Sequence, residues 1–188
     1  MKLGIGSKIQ ILSFNQTSFN QKGEKIMATN MYIQIDQVKG EATDAAHKDW
    51  IEILSWSHGF SQPASPVRSS TGSTVERANH SDFSITKYLD SSTDDLLKAL
   101  WEGKQFEKAK FECFRSTEGT PIKYLMVDFE DIVVSNYSLS GGGGDIPVEN
   151  LSLAYSKVTY TYNPKKKDDA KAEGAQPISH DLKTNKVE

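Results

Sequence analysis

Apolar and polar side chains alternate every two residues along most of this chain, and this period limits the folds open to it. In segment 32–38, Ile33 and Ile35 fall on one face of an extended strand, whereas Gln34 and Asp36 fall on the other. Such alternation is typical of half-buried strands. About seven segments are predicted to be strands, which favours an antiparallel sandwich or barrel. These segments are 32–38, 50–60, 74–88, 106–114, 122–130, 132–140 and 148–162.

One segment has a helical period instead. Ser92 precedes it as a candidate N-cap, Asp95 lies at the capping-box spacing, and Gly103 is placed to end it. The spacing predicts a helix over Thr93–Glu102. Ten residues are too few for a stable isolated helix, so its apolar residues must pack on a sheet or on a neighbouring subunit. These apolar residues are Leu96, Leu97, Leu100 and Trp101.

The two ends of the chain differ in composition from its middle, which predicts three parts. Residues 1–26 have scattered positive charges and no A-x-A site, so they do not resemble a secretory signal peptide. They are either a misassigned start upstream of Met27 or a disordered arm. Residues 27–162 form the predicted β domain. Residues 163–188 contain almost no large apolar side chain and are predicted to be a polar tail or docking arm.

Charge and hydropathy exclude several kinds of partner. The segment 27–162 carries 19 Asp and Glu against 12 Lys and Arg, a net charge of −7, and the whole chain carries −3. Nucleic-acid binding depends on positive charge facing the phosphates, so we predict no nucleic-acid partner. No run approaches the ~18–20 apolar residues of a membrane-spanning helix, so we predict no membrane insertion.

The glycine-rich and acidic motifs do not predict catalysis. The glycines at 141–144 lack the Gly-Lys-Ser/Thr ending of a phosphate loop, and Asp145 follows them instead. Segment 84–87 matches S-x-x-K but alternates like a strand, whereas that motif needs a helical turn. Asp128 and Glu130 share one strand face, whereas the acid pair of a glycosidase comes from separate elements. We therefore predict no catalytic residue.

The metal-ligating residue types are too few and too scattered to predict a metal site. Cys113 is the only cysteine, which excludes an intrachain disulfide framework and a thiolate zinc cluster, and its alternation with Ala109 and Phe111 predicts burial. The histidines show no paired ligand spacing, so we expect structural or surface roles for all four. They are His47, His58, His80 and His180. No metal or cofactor is predicted.

From residue 31 to the C-terminus, the sequence resembles the haemolysin-coregulated proteins (Hcp), the tube subunits of bacterial type VI secretion systems. Four stretches carry the resemblance in order and spacing: YIQIDQVKGEATDAAHKDWIEILSWSHGFSQP at 32–63, DFSITKYLDSST at 82–93, the glycine-rich bend into PVENLSLAYSKVTYTY at 147–162, and DLKTNK at 181–186. The resemblance also supports Met27 as the start of the protein.

The resemblance implies an antiparallel β-barrel of two packed sheets with one flanking α-helix, which assembles into hexameric rings. Rings stack into a tube that a contractile sheath propels, behind a spike, out of the bacterial cytoplasm with effectors. The resemblance implies no catalytic site, and it implies secretion through the machine itself without a signal peptide. A subunit interface is then expected at the helix residues Leu96, Leu100 and Trp101.

Two further surfaces are expected in such a tube. Ser55 and Ser57 lie on the strand face opposite Leu54 and Trp56, so the serines are predicted to face the lumen while Leu54 and Trp56 enter the core. Segment 61–73 is longer than the usual hairpin loop of about 2 to 5 residues and is predicted to contact the adjacent ring. Its stacking residues are expected to be Pro63, Pro66, Val67 and Arg68.

Two other classes of protein remain open from the sequence. A phage-type tail tube protein shares the architecture, and capsid genes near sheath and baseplate genes would favour it. A free-standing β-sandwich binding module is the second, and a monomer of about 20 kDa in solution would favour it.

Overall fold

The alternating segments form twelve strands around one helix, in a computed structural model that describes residues 29–63, 77–117, 120–144, 146–164 and 176–188. The helix, α1, spans Thr93–Glu102. The strands are β1 (Thr29–Ile35), β2 (Ile51–Glu52), β3 (Ser55–Ser57), β4 (Phe60–Ser61), β5 (Asn79–His80), β6 (Phe83–Tyr88), β7 (Gln105–Thr117), β8 (Thr120–Ser140), β9 (Val148–Ala154), β10 (Lys157–Tyr162), β11 (Pro177–Asp181) and β12 (Lys186–Val187). The predicted segment 1–26 lies outside the described residues.

The long strand β8 connects two layers of antiparallel sheet. One layer has the order β12-β11-β10-β8-β7-β1-β2. The second layer leaves the far half of β8 and has the order β8-β9-β6-β3, while β4 and β5 form a separate two-stranded ribbon. Every described strand pair is antiparallel. The predicted fold class, mainly β with antiparallel sheets and one helix, is confirmed.

The core lies between the two layers and is rich in aromatic rings. Phe83 of β6 packs on Phe111 of β7 and Phe129 of β8, with ring centroids 5.1 and 4.8 Å apart. The predicted inward positions Ile33 and Ile35 are fully buried, and Gln34 between them is exposed. The two-residue period therefore identified the core face of β1 correctly.

Cys113 is buried in this core, as predicted. Burial raises the pKa of its thiol, since the thiolate would lose its hydration in an apolar environment. Cys113 therefore acts as a small apolar side chain.

The predicted strand at 50–60 is interrupted at Leu54, and this corrects one predicted core position. The Ile53 N–H donates to the Met31 carbonyl oxygen at 2.9 Å, and the next N–H, that of Leu54, donates to the Thr86 carbonyl oxygen at 2.8 Å. The chain thus crosses from β1 to β6 between two residues, and the alternation slips by one position. Leu54 is 42% exposed, so its predicted place in the core is wrong.

Segments 122–130 and 132–140, predicted as two strands, form the single strand β8. Asp131 lies at the junction with a φ of 54°, a conformation that bends the strand while the pairing resumes on either side. The bend lets one strand contribute to both layers, a role that its alternation alone does not encode.

Helix α1 begins differently from its prediction and ends as predicted. Ser92 has helical dihedrals and makes no side-chain cap; its hydroxyl instead donates to the Asp90 carboxylate, which also accepts the Ser92 N–H at 2.9 Å. The predicted Ser92 cap is therefore wrong. Gly103 ends the helix with a φ of 66°, and the Lys104 N–H donates to the Ala99 carbonyl oxygen at 2.8 Å.

The end of segment 163–188, predicted as a tail or docking arm, adds two strands to the sheet. In β11, Ile178 pairs with Tyr160 of β10 and His180 pairs with Val158. The neighbouring strand supplies the apolar surface that the segment itself lacks, which is why its own composition gave no strand signal. Residues 165–175 lie outside the described part of the chain.

Candidate functional site

Pairs of small polar side chains follow one another across the outer face of the second layer. Each of its four strands places two such residues at positions i and i+2, so both point away from the core. We call this set the polar face: Ser55 and Ser57 of β3, Ser84 and Thr86 of β6, Asn150 and Ser152 of β9, and Asn136 and Ser138 of β8.

The strand registers align these pairs into two rows. One row runs from Ser57 through Ser84 and Ser152 to Asn136, and the hydroxyl oxygens of Ser84 and Ser152 lie 2.9 Å apart. The second row begins at Ser55 and continues through three partners. These are Thr86, Asn150 and Ser138. The polar face is thus an uncharged surface of hydroxyl and amide groups that can donate or accept hydrogen bonds.

Core side chains pack directly behind this face. Trp56, between the two serines of β3, stacks on Phe83 with ring centroids 5.6 Å apart. Ile85 and Leu151, between the polar residues of β6 and β9, are 1% exposed each. The predicted phase of Trp56 is confirmed, and Ser55 and Ser57 are exposed as their position opposite Trp56 requires.

Sequence reasoning identified two residues of the polar face and missed the other six. The missed residues carry the same signal, a pair of small polar side chains two positions apart in an alternating segment. The signal shows which face of each strand is polar, but only the register shows that the four pairs lie side by side.

The predicted interface residues on α1 have three different environments. Leu96 is fully buried and belongs to the subunit core, so it is not available to a neighbouring subunit. Leu100 packs against that core while remaining partly exposed. Trp101 is 76% exposed, which leaves its indole as the large apolar group that this helix offers to a partner.

A buried ion pair fixes the start of α1 to the second layer. Lys87 takes the third inward position of β6, after Phe83 and Ile85, and its register partner on β9 is Glu149. Both side chains are fully buried, and the Lys87 ammonium contacts the Glu149 carboxylate. The ammonium also donates to Asp90 Oδ1 at 2.7 Å.

Two hydroxyl groups donate hydrogen bonds to the carboxylate of this buried pair. Glu149 Oε1 accepts the Thr93 hydroxyl from α1 at 2.6 Å and the Tyr137 hydroxyl from β8 at 2.7 Å. Burial, followed by the hydrogen bond to Glu149 and its charge, raises the pKa of Tyr137. The helix that carries Trp101 is therefore positioned by a paired, hydrogen-bonded carboxylate, which the sequence signals as charged residues at inward strand positions.

The predicted stacking loop lies between β4 and β5 of the ribbon. Phe60 pairs with His80 and Ser61 with Asn79, so the loop connects the two strands of a hairpin. Pro63 is exposed at its beginning. Pro66, Val67 and Arg68 lie outside the described residues.

His47 is structural, as expected, and fastens the loop between β1 and β2. Its Nδ1 lies 2.7 Å from Asp44 Oδ1, and its Nε2 lies 3.0 Å from Glu112 Oε2. Burial acts to raise the pKa of Glu112, but hydrogen bonds from Lys123 and His47 outweigh it and hold this pKa below its usual value. Because the ring of His47 also stacks on Tyr32, with centroids 4.4 Å apart, the loop packs closely on β1.

Within the described ranges, no group of three or more His, Cys, Asp or Glu side chains has the arrangement of a metal site. In the same ranges, no helix has the length and hydropathy needed to cross a bilayer.

Comparison with known proteins identifies the family. Residues 32–162 match the family model described as type VI secretion system effector, Hcp. The chain is 35% identical over 160 residues to the protein hcp1 of Pseudomonas aeruginosa, covering 85% of this chain and 98% of that protein. It is 24% identical over 131 residues to the major exported protein of the same organism, covering 65% of this chain and 74% of that protein.

Solved structures agree with the sequence comparison. A structure described as a type six secretion system protein has a TM-score of 0.78 and 32% identity, and the match covers 86% of this chain and all of that one. Hcp1 from Salmonella typhimurium has a TM-score of 0.71 and 26% identity, with 86% and 99% covered.

The fold and these matches define a protein of bacterial type VI secretion. The chain belongs to the Hcp family, so it is a tube or effector protein of such a system.

Proposed function

We propose that this protein is the structural subunit of a type VI inner tube. Hexameric rings of the chain stack into a tube, and a contractile sheath propels the tube behind a spike protein. The lumen carries effectors, and the tube leaves the bacterial cytoplasm through the secretion system. The subunit works by assembly and binding rather than by catalysis.

The polar face is the observation that carries this proposal. Eight small hydroxyl and amide side chains on four adjacent strands form a wettable wall without charge. Such a wall suits a lumen that holds different cargoes, because each contact is weak and adaptable. A ring repeats the wall around its circumference, and repetition converts weak contacts into useful affinity.

Trp101 supports a ring with neighbouring subunits. A tryptophan that is 76% exposed on a short helix leaves a large apolar surface in water, and tryptophan is enriched at protein interfaces. The buried pair of Lys87 and Glu149 holds the helix in place, so Trp101 is presented from a fixed position. A head-to-tail contact at this point closes into a ring if the rotation between subunits matches.

Electron microscopy of gold-labelled rings tests the orientation of the polar face. Ser57→Cys places a thiol on this face, whereas Lys110→Cys places one on the outer face of the first layer, which points the opposite way. We expect maleimide-gold at the centre of the ring for the first variant and at its rim for the second. Cys113 is buried, so the unmodified ring should carry little label.

The same images test the assembly. A particle near six times the monomer mass with a central hole is the expected result. A monomer of 20.9 kDa would contradict the ring. Gold at the rim for Ser57→Cys would contradict the lumen assignment while leaving the ring intact.

A further inference from the structure

Three of the four histidines lie in one continuous row of hydrogen bonds beside the C-terminal strands. The row begins on β10, passes through β5 and ends at the turn before β12. We call it the histidine chain; its members are Tyr160, His58, Tyr155, His80, His180 and Asn185.

The distances along the row are those of hydrogen bonds. His58 contacts the Tyr160 hydroxyl through Nδ1, and its Nε2 lies 2.6 Å from the Tyr155 hydroxyl oxygen. That oxygen lies 2.8 Å from Nδ1 of His80, whose Nε2 lies 2.9 Å from Nδ1 of His180. The last contact, from His180 Nε2 to Asn185 Oδ1, is 3.3 Å.

Counting protons shows that the row is complete when all three imidazoles are neutral. An amide oxygen only accepts, so His180 Nε2 carries the proton that faces Asn185. A neutral imidazole has one N–H, so Nδ1 of His180 accepts from His80. The same rule, applied to each contact in turn toward Tyr160, fixes the remaining donors. Tyr155 donates to His80, His58 donates to Tyr155, and the Tyr160 hydroxyl donates to His58.

The row has room for one additional proton and no more. A proton added at His180 is accommodated if each preceding hydrogen bond reverses its direction, until the Tyr160 hydroxyl becomes an acceptor. A second proton leaves the Tyr155 O–H without an acceptor in the row and puts two positive charges side by side. Both effects are costly in a partly buried site.

The row joins parts of the fold that share few other contacts. His180 on β11 meets His80 on the β4–β5 ribbon, and these strands belong to separate sheets. The apolar residues beside this contact bury little surface, since Ile178 is 59% exposed and Val187 is 62% exposed. β11 is otherwise held by its pairing with β10 and by the contact of Lys183 with Asp131, and the histidine chain adds the tie between this edge and the β4–β5 ribbon.

We propose that the histidine chain is a pH-sensitive latch that fastens β11 and β12 to the β4–β5 ribbon and opens when a second proton enters it. The latch closes at neutral pH and releases the C-terminal strands in acid. It is independent of the proposed tube function, because it rests on contacts within one subunit.

The surroundings of the row favour neutral imidazoles. Burial, followed by the charge of His80, lowers the pKa of His58 to about 4, although the carboxylate of Asp82 acts in the opposite direction. Burial and the charge of His180 lower the pKa of His80. Phe60, Phe83 and Phe129 complete the surroundings of His58 and carry no charge.

Charged residues near His180 are turned away from the row. Asp181 of β11 and Lys186 of β12 are strand-register partners one position further along, where side chains point to the opposite face of the sheet. Asp181 instead accepts the main-chain N–H of Lys183 at 2.8 Å. No carboxylate on these two strands therefore faces the histidine chain.

The direction of the pH effect follows from the lowered pKa values of His58 and His80. A histidine with a folded pKa below its unfolded value of about 6.5 stabilises the closed state above that pH, and the stability is lost as pH falls toward the folded pKa. Each imidazole that is neutral when closed and protonated when open contributes at most a tenfold change per pH unit. Since one proton is tolerated, two imidazoles contribute, and opening should rise between tenfold and a hundredfold from pH 6.0 to pH 5.0.

Amide hydrogen exchange of the full-length protein tests the latch. Protection factors of peptides covering 177–187 should fall at least tenfold from pH 6.0 to pH 5.0, after correction for intrinsic exchange. A peptide in β7 serves as the internal reference and should keep its protection. Equal protection of 177–187 at the two pH values would overturn the proposal.

Two variants separate a latch from a merely structural cluster. His180→Gln should flatten the pH dependence at 177–187, and an unchanged slope would overturn the proposal. Asn185→Asp should move opening to lower pH, because a carboxylate at the end of the row counteracts the positive charge of the first proton; opening at the same or higher pH would contradict the proposal. His47→Gln, which lies outside the row, should leave the slope at 177–187 unchanged.

Discussion

Lys87 and Glu149 face each other at inward positions of two neighbouring strands, where the alternation of both strands leads one to expect apolar side chains. A buried charge is tolerated only when it is paired and hydrogen-bonded. Here Asp90, Thr93 and Tyr137 supply the additional hydrogen bonds. The pair therefore contributes to the position of α1 more clearly than to net stability.

Lys87→Met should be strongly destabilising, because it leaves the Glu149 carboxylate buried without its cation. Removing one partner of a buried pair typically costs about 3 to 5 kcal/mol, and urea unfolding measures the loss. Adding Glu149→Gln to Lys87→Met should recover part of it, because a neutral amide needs no cation. Lys98→Met is the matched control, since its pair with Glu102 is 4.0 Å long and exposed, and it should change stability by less than about 0.5 kcal/mol. A small loss for Lys87→Met would contradict this account.

At the scale of elements, α1 places a partly buried and a mostly exposed residue side by side, and we propose a folding role for the first and an assembly role for the second. Leu100 packs against the core, so Leu100→Ala should cost about 2 kcal/mol, the lower end for a buried leucine, because this side chain is only partly buried. Trp101 is mostly exposed, so Trp101→Ala should leave monomer stability nearly unchanged while weakening the ring. Thermal melting and light scattering of both variants measure the two effects. If the Trp101→Ala ring is as stable as the unmodified ring at low protein concentration, this helix does not lie in the interface between subunits.

The elements also show what the sequence could predict. The period of two found the strands and the inward positions of β1, and Gly103 marked the end of α1, because these signals depend on neighbouring residues alone. The slip at Leu54 depends on a change of partner from β1 to β6, and β11 depends on surface supplied by β10. The serines of β3 were found for the same local reason, whereas the other six residues of the polar face required the register of four strands.

At the scale of the whole molecule, the polar face predicts how cargo is held. Ser57→Gln adds length to one position of one row and should leave rings intact, because the side chain points away from the core. It should lower the cellular level of at least one effector that depends on the tube for protection. Immunoblots of effectors in the variant strain measure this, and Lys110→Gln on the opposite layer is the control. Unchanged levels of every effector would show that this face does not bind cargo.

Stacking of rings is the remaining part of our proposal for the whole molecule, and the segment 61–73 is our candidate for the contact between rings. In such a stack, the net charge of −7 over 27–162 would make like rings repel each other, and we propose that the Arg68 cation pairs with carboxylates of the next ring. An exposed pair contributes only about 0 to 1 kcal/mol, but a ring repeats it around its circumference. Arg68→Glu should therefore shorten tubes, while Arg68→Lys should preserve them.

Replacing residues 63–76 with a short Gly/Ser turn is the stronger test, because it keeps the β4–β5 ribbon at Phe60 and Ser61 and removes all four predicted stacking residues. We expect single rings of normal mass, no long tubes in electron micrographs and no protein in the culture medium. Rings that melt at the temperature of the unmodified protein would show that the loop acts in stacking rather than in folding. If the shortened protein still forms long tubes and is exported, the contact between rings lies elsewhere, and the glycine bend at 141–144 becomes the next segment to replace.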